Sequence, residues 1–178
     1  MIDSGSLTIR GLHTDDWENL YPLLHQDEVL RNSTELPYTP EDGFRERFNN
    51  PPATLHTLIA ETGQPSGRKR IIGTAWLTQL ENRRRHCGEL TVVVYPEYQN
   101  ADVEHMLLQA ALELADQWLG LHRVDVLVYA DQTATIEFYG QHGFKLEATM
   151  RQYAFRNGSL QDAALLARIR PDIGSEEK

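Results

Sequence analysis

The chain has 178 residues, 40% hydrophobic and 24% charged, with a formal net charge of -9. Those figures suit one globular domain, expected over residues 1–170 with an acidic tail at 171–178. They argue against nucleic acid as a partner, because neutralising phosphates needs a basic surface, and they are compatible with a cationic or amine-bearing substrate.

No apolar stretch approaches the ~18 residues of a membrane span. The first six residues carry neither a basic nor an apolar region, so no secretory signal is expected. Cys87 is the single cysteine, which removes any internal disulfide and points to the reducing cytoplasm.

In chain order, Leu7-Thr8-Ile9-Arg10 alternates apolar and polar residues and predicts a short strand. Thr14 is placed to N-cap a helix whose first turn is acidic and whose apolar face is Trp17, Leu20, Tyr21 and Leu24. Pro40 suits the start of a second helix, Glu41 to Phe48, which Asn49-Asn50-Pro51-Pro52 ends. Strands are then predicted at Leu55–Glu61, Ile71–Gln79 and Glu89–Tyr95, joined by polar turns at 62–68 and 79–85. Asp102 to Leu119 is the clearest helix, with Val103, Met106, Leu107, Ala110, Ala111, Leu114 and Trp118 expected to face the core. A strand at Arg123–Tyr129, a helix at Gln132–His142 with Gly143 at its C-terminal end, and two strands flanking Asn157-Gly158 complete the chain. The tail beyond Pro171 is expected to fray.

This order gives an α/β (α+β) domain with a mixed, mostly antiparallel sheet. The helix between the third of the consecutive strands and the next implies a local parallel pair.

Several segments carry a more specific likeness. Val124 to Gln132, then Thr135-Ile136, Tyr139 and His142-Gly143-Phe144 resemble the corresponding stretch of the GNAT family of acetyl-CoA-dependent N-acetyltransferases. Tyr153-Ala154-Phe155-Arg156-Asn157-Gly158 with Asp162 is similar to the ending of bacterial members acting on amino acids and polyamines. The first half, from Leu7 to Arg10 through Glu28-Val29 to Arg45-Glu46-Arg47-Phe48, resembles them too.

The resemblance implies the GNAT acyl-CoA N-acyltransferase fold and a reaction that moves an acetyl group from acetyl-CoA to a primary amine. The acceptor would be a small molecule, an amino acid or a protein amine. It implies that the strands at Leu90–Tyr95 and Arg123–Tyr129 splay, and that the cofactor lies in the gap. Val92, Val93 and Val94 would then meet the pantetheine, with a main-chain amide near Val93 or Val94 polarising the thioester carbonyl. The pyrophosphate would sit on the loop and first helical turn, Gln99, Asn100, Ala101, Asp102, Val103 and Glu104, where the helix dipole favours anions. Gln132 and Tyr139 would border the cofactor. Tyr139 matches the family's general acid toward the CoA sulfur, and Glu89 is a candidate base acting through water or a holder of a cationic acceptor. Dimerisation is common in the family, so a homodimer is an open expectation.

The loop departs from the family pattern of Gln or Arg, two residues, Gly, one residue, then Gly or Ala. Gln99 is kept, but Asp102 and Glu104 occupy the two small-residue positions. Glycine lets backbone amides approach phosphate closely, and a carboxylate there opposes it. A unit-charge pair about 5 Å apart is worth about 3 kcal/mol at an effective dielectric near 20. Asp102 could instead cap the helix and fill the anion site itself. A second reading therefore stands beside the enzyme: a GNAT-fold pseudo-enzyme that has lost acetyl-CoA and binds a metabolite or protein. Gln132 for the usual Asn and Thr135 for the usual Ala are milder departures.

Other residues carry little chemistry. His86 and Cys87 are strand neighbours that face opposite sides, and Arg83-Arg84-Arg85 reads as a solvated hairpin tip. No metal-ligand spacing appears among the histidines.

Overall fold

The computed structural model of the protein describes residues 7–63, 69–99 and 102–170. Most of the turn expected at 62–68, the loop residues Asn100 and Ala101, and the acidic tail lie outside the described residues. The elements run β1 (Thr8–Gly11), α1 (Trp17–Leu24), α2 (Asp27–Arg31), α3 (Glu41–Asn49), β2 (Leu55–Gly63), β3 (Lys69–Gln79), β4 (Cys87–Val94), α4 (Val103–Glu113), β5 (Arg123–Tyr129), α5 (Thr133–Gln141), β6 (Lys145–Arg156) and β7 (Ser159–Ile169). The strands form one seven-stranded sheet in the order β1-β2-β3-β4-β5-β7-β6. Every neighbouring pair is antiparallel except β4 with β5.

Both faces of the central strands are covered, and consecutive side chains show how. Ile59 and Ile71 pack with Leu20, Leu23, Phe44 and Phe48 of α1 and α3. Their neighbours Ala60 and Ile72 pack with Val103, Leu107, Leu108 and Ala111 of α4. Alternation of strand side chains therefore feeds two cores, which is why these strands read as nearly continuous apolar runs. Leu107 is fully buried, and cutting such a side chain back to alanine costs about 2–5 kcal/mol.

Asp16, rather than Thr14, organises the first helical segment. Arg10 donates to both its carboxylate oxygens, at 2.7 and 2.8 Å, while the His13 amide donates to Oδ2 at 2.6 Å. That inward pull makes residues 14–16 a 3-10 turn, and α1 begins only at Trp17. The short helix α2 has no predicted counterpart, because five residues are too few to show a period. Acids in its first turn and Arg31 in its last suit the dipole.

Two residues expected in the core of α4 are not there: Met106 is 36% exposed and Trp118 is 78% exposed. Residues 114–118 form a π-helical turn, in which the Leu119 amide donates to the Leu114 carbonyl at 3.0 Å. The extra residue in that turn rotates Trp118 outward, and the buried stripe becomes Val103, Leu107, Leu108, Ala111 and Ala115. Asn157 and Gly158 both adopt positive φ, 53° and 79°, in the β6–β7 turn.

Candidate active site

The site begins where the sheet opens. β4 and β5 pair over three rungs only, Cys87↔Arg123, Gly88↔Val124 and Glu89↔Asp125. A Cβ on Gly88 would fall 2.7 Å from Leu121 Cδ1, so glycine is what lets Leu121 pack over the closed end of the pair. Past Glu89, β4 continues only against β3 as far as Val94, and β5 only against β7 as far as Tyr129. The facing edges of residues 90–94 and 126–129 therefore have no ladder partner in one another. Backbone groups left this way need a ligand or water.

A cavity of about 800 Å3 occupies the opening. Glu89, Val92, Val93, Val94, Gln99, Glu104, Gln132 and Tyr139 all line it. Gln132 has a local duty there: its Oε1 accepts the Tyr129 amide at 3.1 Å and fixes the end of β5. Val103 is fully buried, with its side chain in the core beneath α4, and is not on the cavity wall.

Asp102 precedes α4 with φ 62° and ψ 0°, the left-handed conformation that glycine adopts most freely. Its carboxylate makes no bond to the helix amides, so the expectation that it caps α4 is corrected. A capping side chain needs extended backbone at its own residue, and a left-handed residue cannot aim its carboxylate at the first turn. Asp102 is exposed instead. The first helical bond runs from the Met106 amide to the Asp102 carbonyl at 2.9 Å. The amides of the first helical turn, at the positive end of α4, receive no bond from the Asp102 side chain.

Glu104 points the other way. It is half-buried, lines the cavity and has no hydrogen-bond or ion-pair partner among the described residues. Burial away from water pushes its carboxyl above the usual glutamate range. Tyr139 is 4% exposed. Burial, and then the nearby Glu104 charge, hold its hydroxyl well above the usual phenol range. Its ring is set edge-on against Phe138 and Phe144, with centroids at 5.5 and 5.3 Å. The positive φ of Gly143, 85°, ends α5 and folds the chain back, so that the Phe144 amide donates to the Tyr139 carbonyl at 3.1 Å.

Sequence reasoning missed a histidine pair that joins the two helices of the site. His105 Nδ1 lies 2.7 Å from His142 Nε2, and His142 Nδ1 donates to the Phe138 carbonyl at 2.7 Å. These residues are 37 positions apart, and no local pattern links them. It also missed Asp125, Met150 and Tyr153 on the cavity wall. The loop after α2 is tied to the site by Tyr129, whose hydroxyl donates to the Ser33 carbonyl at 2.9 Å.

A mixed sheet that forks at one parallel pair, with a helix N-terminus on one flank and a buried tyrosine on the other, defines an acyl-CoA N-acyltransferase fold. The chain belongs to the acetyltransferase (GNAT) family, whose profile matches residues 14–144. It is similar to the L-amino acid N-acetyltransferase AaaT of Escherichia coli strain K12, at 28% identity over 92% of this chain and 98% of that protein. It also resembles a spermidine N(1)-acetyltransferase of Vibrio cholerae serotype O1, at 24% identity over 89% of this chain and 90% of the relative. Among solved structures, a spermidine N-acetyltransferase from Vibrio cholerae in complex with CoA and spermine superposes with a TM-score of 0.82. That match has 23% identity and covers 93% of this chain and 96% of the other. Membership makes the chain an acetyltransferase, and nothing in these likenesses favours the pseudo-enzyme reading. Among the described residues no helix is long and apolar enough to cross a membrane.

Proposed function

We propose that the protein transfers the acetyl group of acetyl-CoA to the primary amine of a small acceptor, an amino acid or a polyamine being the classes its relatives act on. The carrying observation is the fork: a ligand with successive amides meets two strand edges unpaired with one another, and its pyrophosphate meets a helix end that the Asp102 side chain does not cap. These features fit acetyl-CoA, which supplies an acetyl group activated as a thioester.

The residues of the chain divide the remaining work. Successive amides of a strand face opposite sides. The Tyr95 amide bonds to Ile72 on β3, so the Val93 amide faces β3 and those of Val92 and Val94 face the gap. Val94, next to the helix end, is the amide we assign to polarising the carbonyl. Its preset direction is what gives such a donor its effect on a developing oxyanion. Tyr139 is assigned to the leaving sulfur. Val92, Gln99 and the first amides of α4 would hold the cofactor, while Gln132 acts by fixing the end of β5.

Acids dominate the acceptor side. Glu28, Glu35, Glu89 and Asp125 line the cavity with Arg47 and Arg84. Glu35 is engaged by Arg47 at 3.2 Å and Asp125 by Arg123 at 2.6 Å. Glu28 and Glu89 are the acids left to hold a cationic acceptor, with Glu89 also placed to take a proton from its amine through water.

We further propose a second copy of the chain as a partner at β6. This edge strand exposes Leu146 and Phe155, while Met150 and Tyr153 extend the same strand to the cavity wall. A single buried thiol suits the reducing cytoplasm. The test of the activity is release of CoA thiol from acetyl-CoA in the presence of amino acids, spermidine and simple diamines. Amine-dependent release is expected, and silence with every amine would overturn the reading. Sedimentation of a monomer at micromolar concentration would overturn the dimer.

A further inference from the structure

We propose that Glu104 is the proton carrier that resupplies Tyr139, so that the acid standing at a small-residue position of the cofactor loop is part of the transfer machinery. The inference rests on the acetyltransferase reading above.

Three observations carry it. Glu104 and Tyr139 line one cavity from two different helices, and the charge of Glu104 acts on the Tyr139 hydroxyl. The two helices are fastened at this level by the His105–His142 bond of 2.7 Å, one residue from Glu104 and three from Tyr139. Glu104 is also half-buried on the cavity wall without an ion-pair or hydrogen-bond partner among the described residues, so its carboxyl is free to exchange a proton.

The chemistry supplies the reason. A buried phenol held above its usual range is a strong hydrogen-bond donor but a reluctant proton donor, because the phenolate it leaves is unsolvated and faces a carboxylate. A second group that refills the phenol as it gives up its proton removes that penalty. In the balanced step the amine nitrogen forms a bond to the acetyl carbon as the carbon–sulfur bond breaks, and the electron pair of that bond stays on sulfur. Glu89 has by then taken the first proton of the ammonium through water. Glu104, starting as the carboxylate, takes the next from the nitrogen as it bonds to carbon and passes one through water to Tyr139, while Tyr139 gives its own to sulfur. One proton has moved from nitrogen to sulfur, and Glu104 and Tyr139 end as they began. The upward push on the Glu104 carboxyl by burial makes it a better proton acceptor than an ordinary carboxylate.

The titratable and charged groups that share the cavity or the helix with Glu104 are Asp102 and His105 on α4, Tyr139 and, through His105, His142 on the α5 side, Glu89 and Asp125 on the fork, and His25, Glu28, Glu35, Arg47 and Arg84 on the remaining wall. Arg47 is engaged by Glu35 at 3.2 Å, and no cation among the described residues is ion-paired with Glu104.

The test compares wild type with Glu104→Gln and, should the amide disturb the fold, Glu104→Ala. Wild-type kcat should fall on the acid side with a midpoint above the ordinary glutamate range. In E104Q that limb should vanish and kcat should drop about 10-fold or more. CoA affinity by calorimetry should be unchanged or tighter in both variants. Independently of activity, carbon-13 titration of the Glu104 carboxyl in the ligand-free protein should give the same raised midpoint. A kcat in both variants within about threefold of wild type, or a carboxyl that titrates in the ordinary range, would overturn the relay. Wild type that acetylates no amine would instead overturn the proposed function, with the carboxyl titration still readable.

Discussion

Glu89 and Asp125 face each other on the last rung that joins β4 to β5, and the cavity opens directly beyond them. Asp125 is held by Arg123 at 2.6 Å, whereas Glu89 has no such partner among the described residues. The rung therefore presents one neutralised and one available carboxylate at the point where an acceptor amine would approach the fork.

Replacing Glu89 by Gln should lower kcat/KM for the amine about 10-fold while leaving the KM for acetyl-CoA within about twofold. Steady-state kinetics with each substrate varied in turn reads the split. Equal losses toward both substrates would remove Glu89 from the acceptor side.

Asp102→Gly should tighten acetyl-CoA binding. It removes a negative charge from the phosphate end and leaves the left-handed backbone at φ 62° in place. Relief of the side-chain penalty in that conformation should also raise stability by up to about 1 kcal/mol. Calorimetric titration and urea unfolding measure the two effects, and no gain in affinity would show that Asp102 already stands clear of the phosphates.

Tyr139→Phe keeps the ring packed between Phe138 and Phe144 and deletes only the hydroxyl. We expect kcat to fall about 100-fold with CoA affinity preserved. Unchanged turnover would remove Tyr139 from the leaving-group role.

Arg10 is the common partner of two nearly buried acids, Asp16 and Glu61, and Lys69 also bonds to Glu61. Burial alone would raise both carboxyls, but hydrogen bonds from Arg10 to Asp16, and from Lys69 and Arg10 to Glu61, hold them below their ordinary values. Depressed carboxyls contribute stability above their unfolded values, and that contribution is lost as pH falls through the folded ones. Wild type should therefore lose stability below about pH 4–5. Arg10→Ala should cost about 2–4 kcal/mol at pH 7, because Asp16 loses its ion-pair partner and Glu61 keeps only Lys69. Its stability should fall less steeply with acid. Urea unfolding at a series of pH values checks both expectations.

Most of the architecture was legible because its signals are local. The paired turn residues Asn157-Gly158, the Gly143 that ends α5 and the apolar runs of β3 and β4 each declare themselves within a few positions. What escaped depends on distant partners. Asp16 looks like one of several first-turn acids until Arg10 draws it inward. Asp102 looks like a cap until its backbone is seen to be left-handed. For the candidate site, the departures at Asp102 and Glu104 were visible as residue types, but their directions were not: one faces solvent and the other the cavity. The His105–His142 contact and the wall formed by Met150 and Tyr153 come from the way helices and hairpins meet, which no sequence window contains.

The π turn at residues 114–118 bears on how the chain tolerates changes in length. An ordinary helix that gained one residue would rotate everything after it by about 100°. Here the additional residue is taken up inside a single turn, and Leu121 still arrives over Gly88 to close the base of the fork. The segment works as a length buffer between α4 and β5. Removing Gln117 should restore α-helical spacing and bring Trp118 toward the sheet, whereas the same deletion two turns earlier would carry Ala111 and Ala115 out of register with Val103, Leu107 and Leu108.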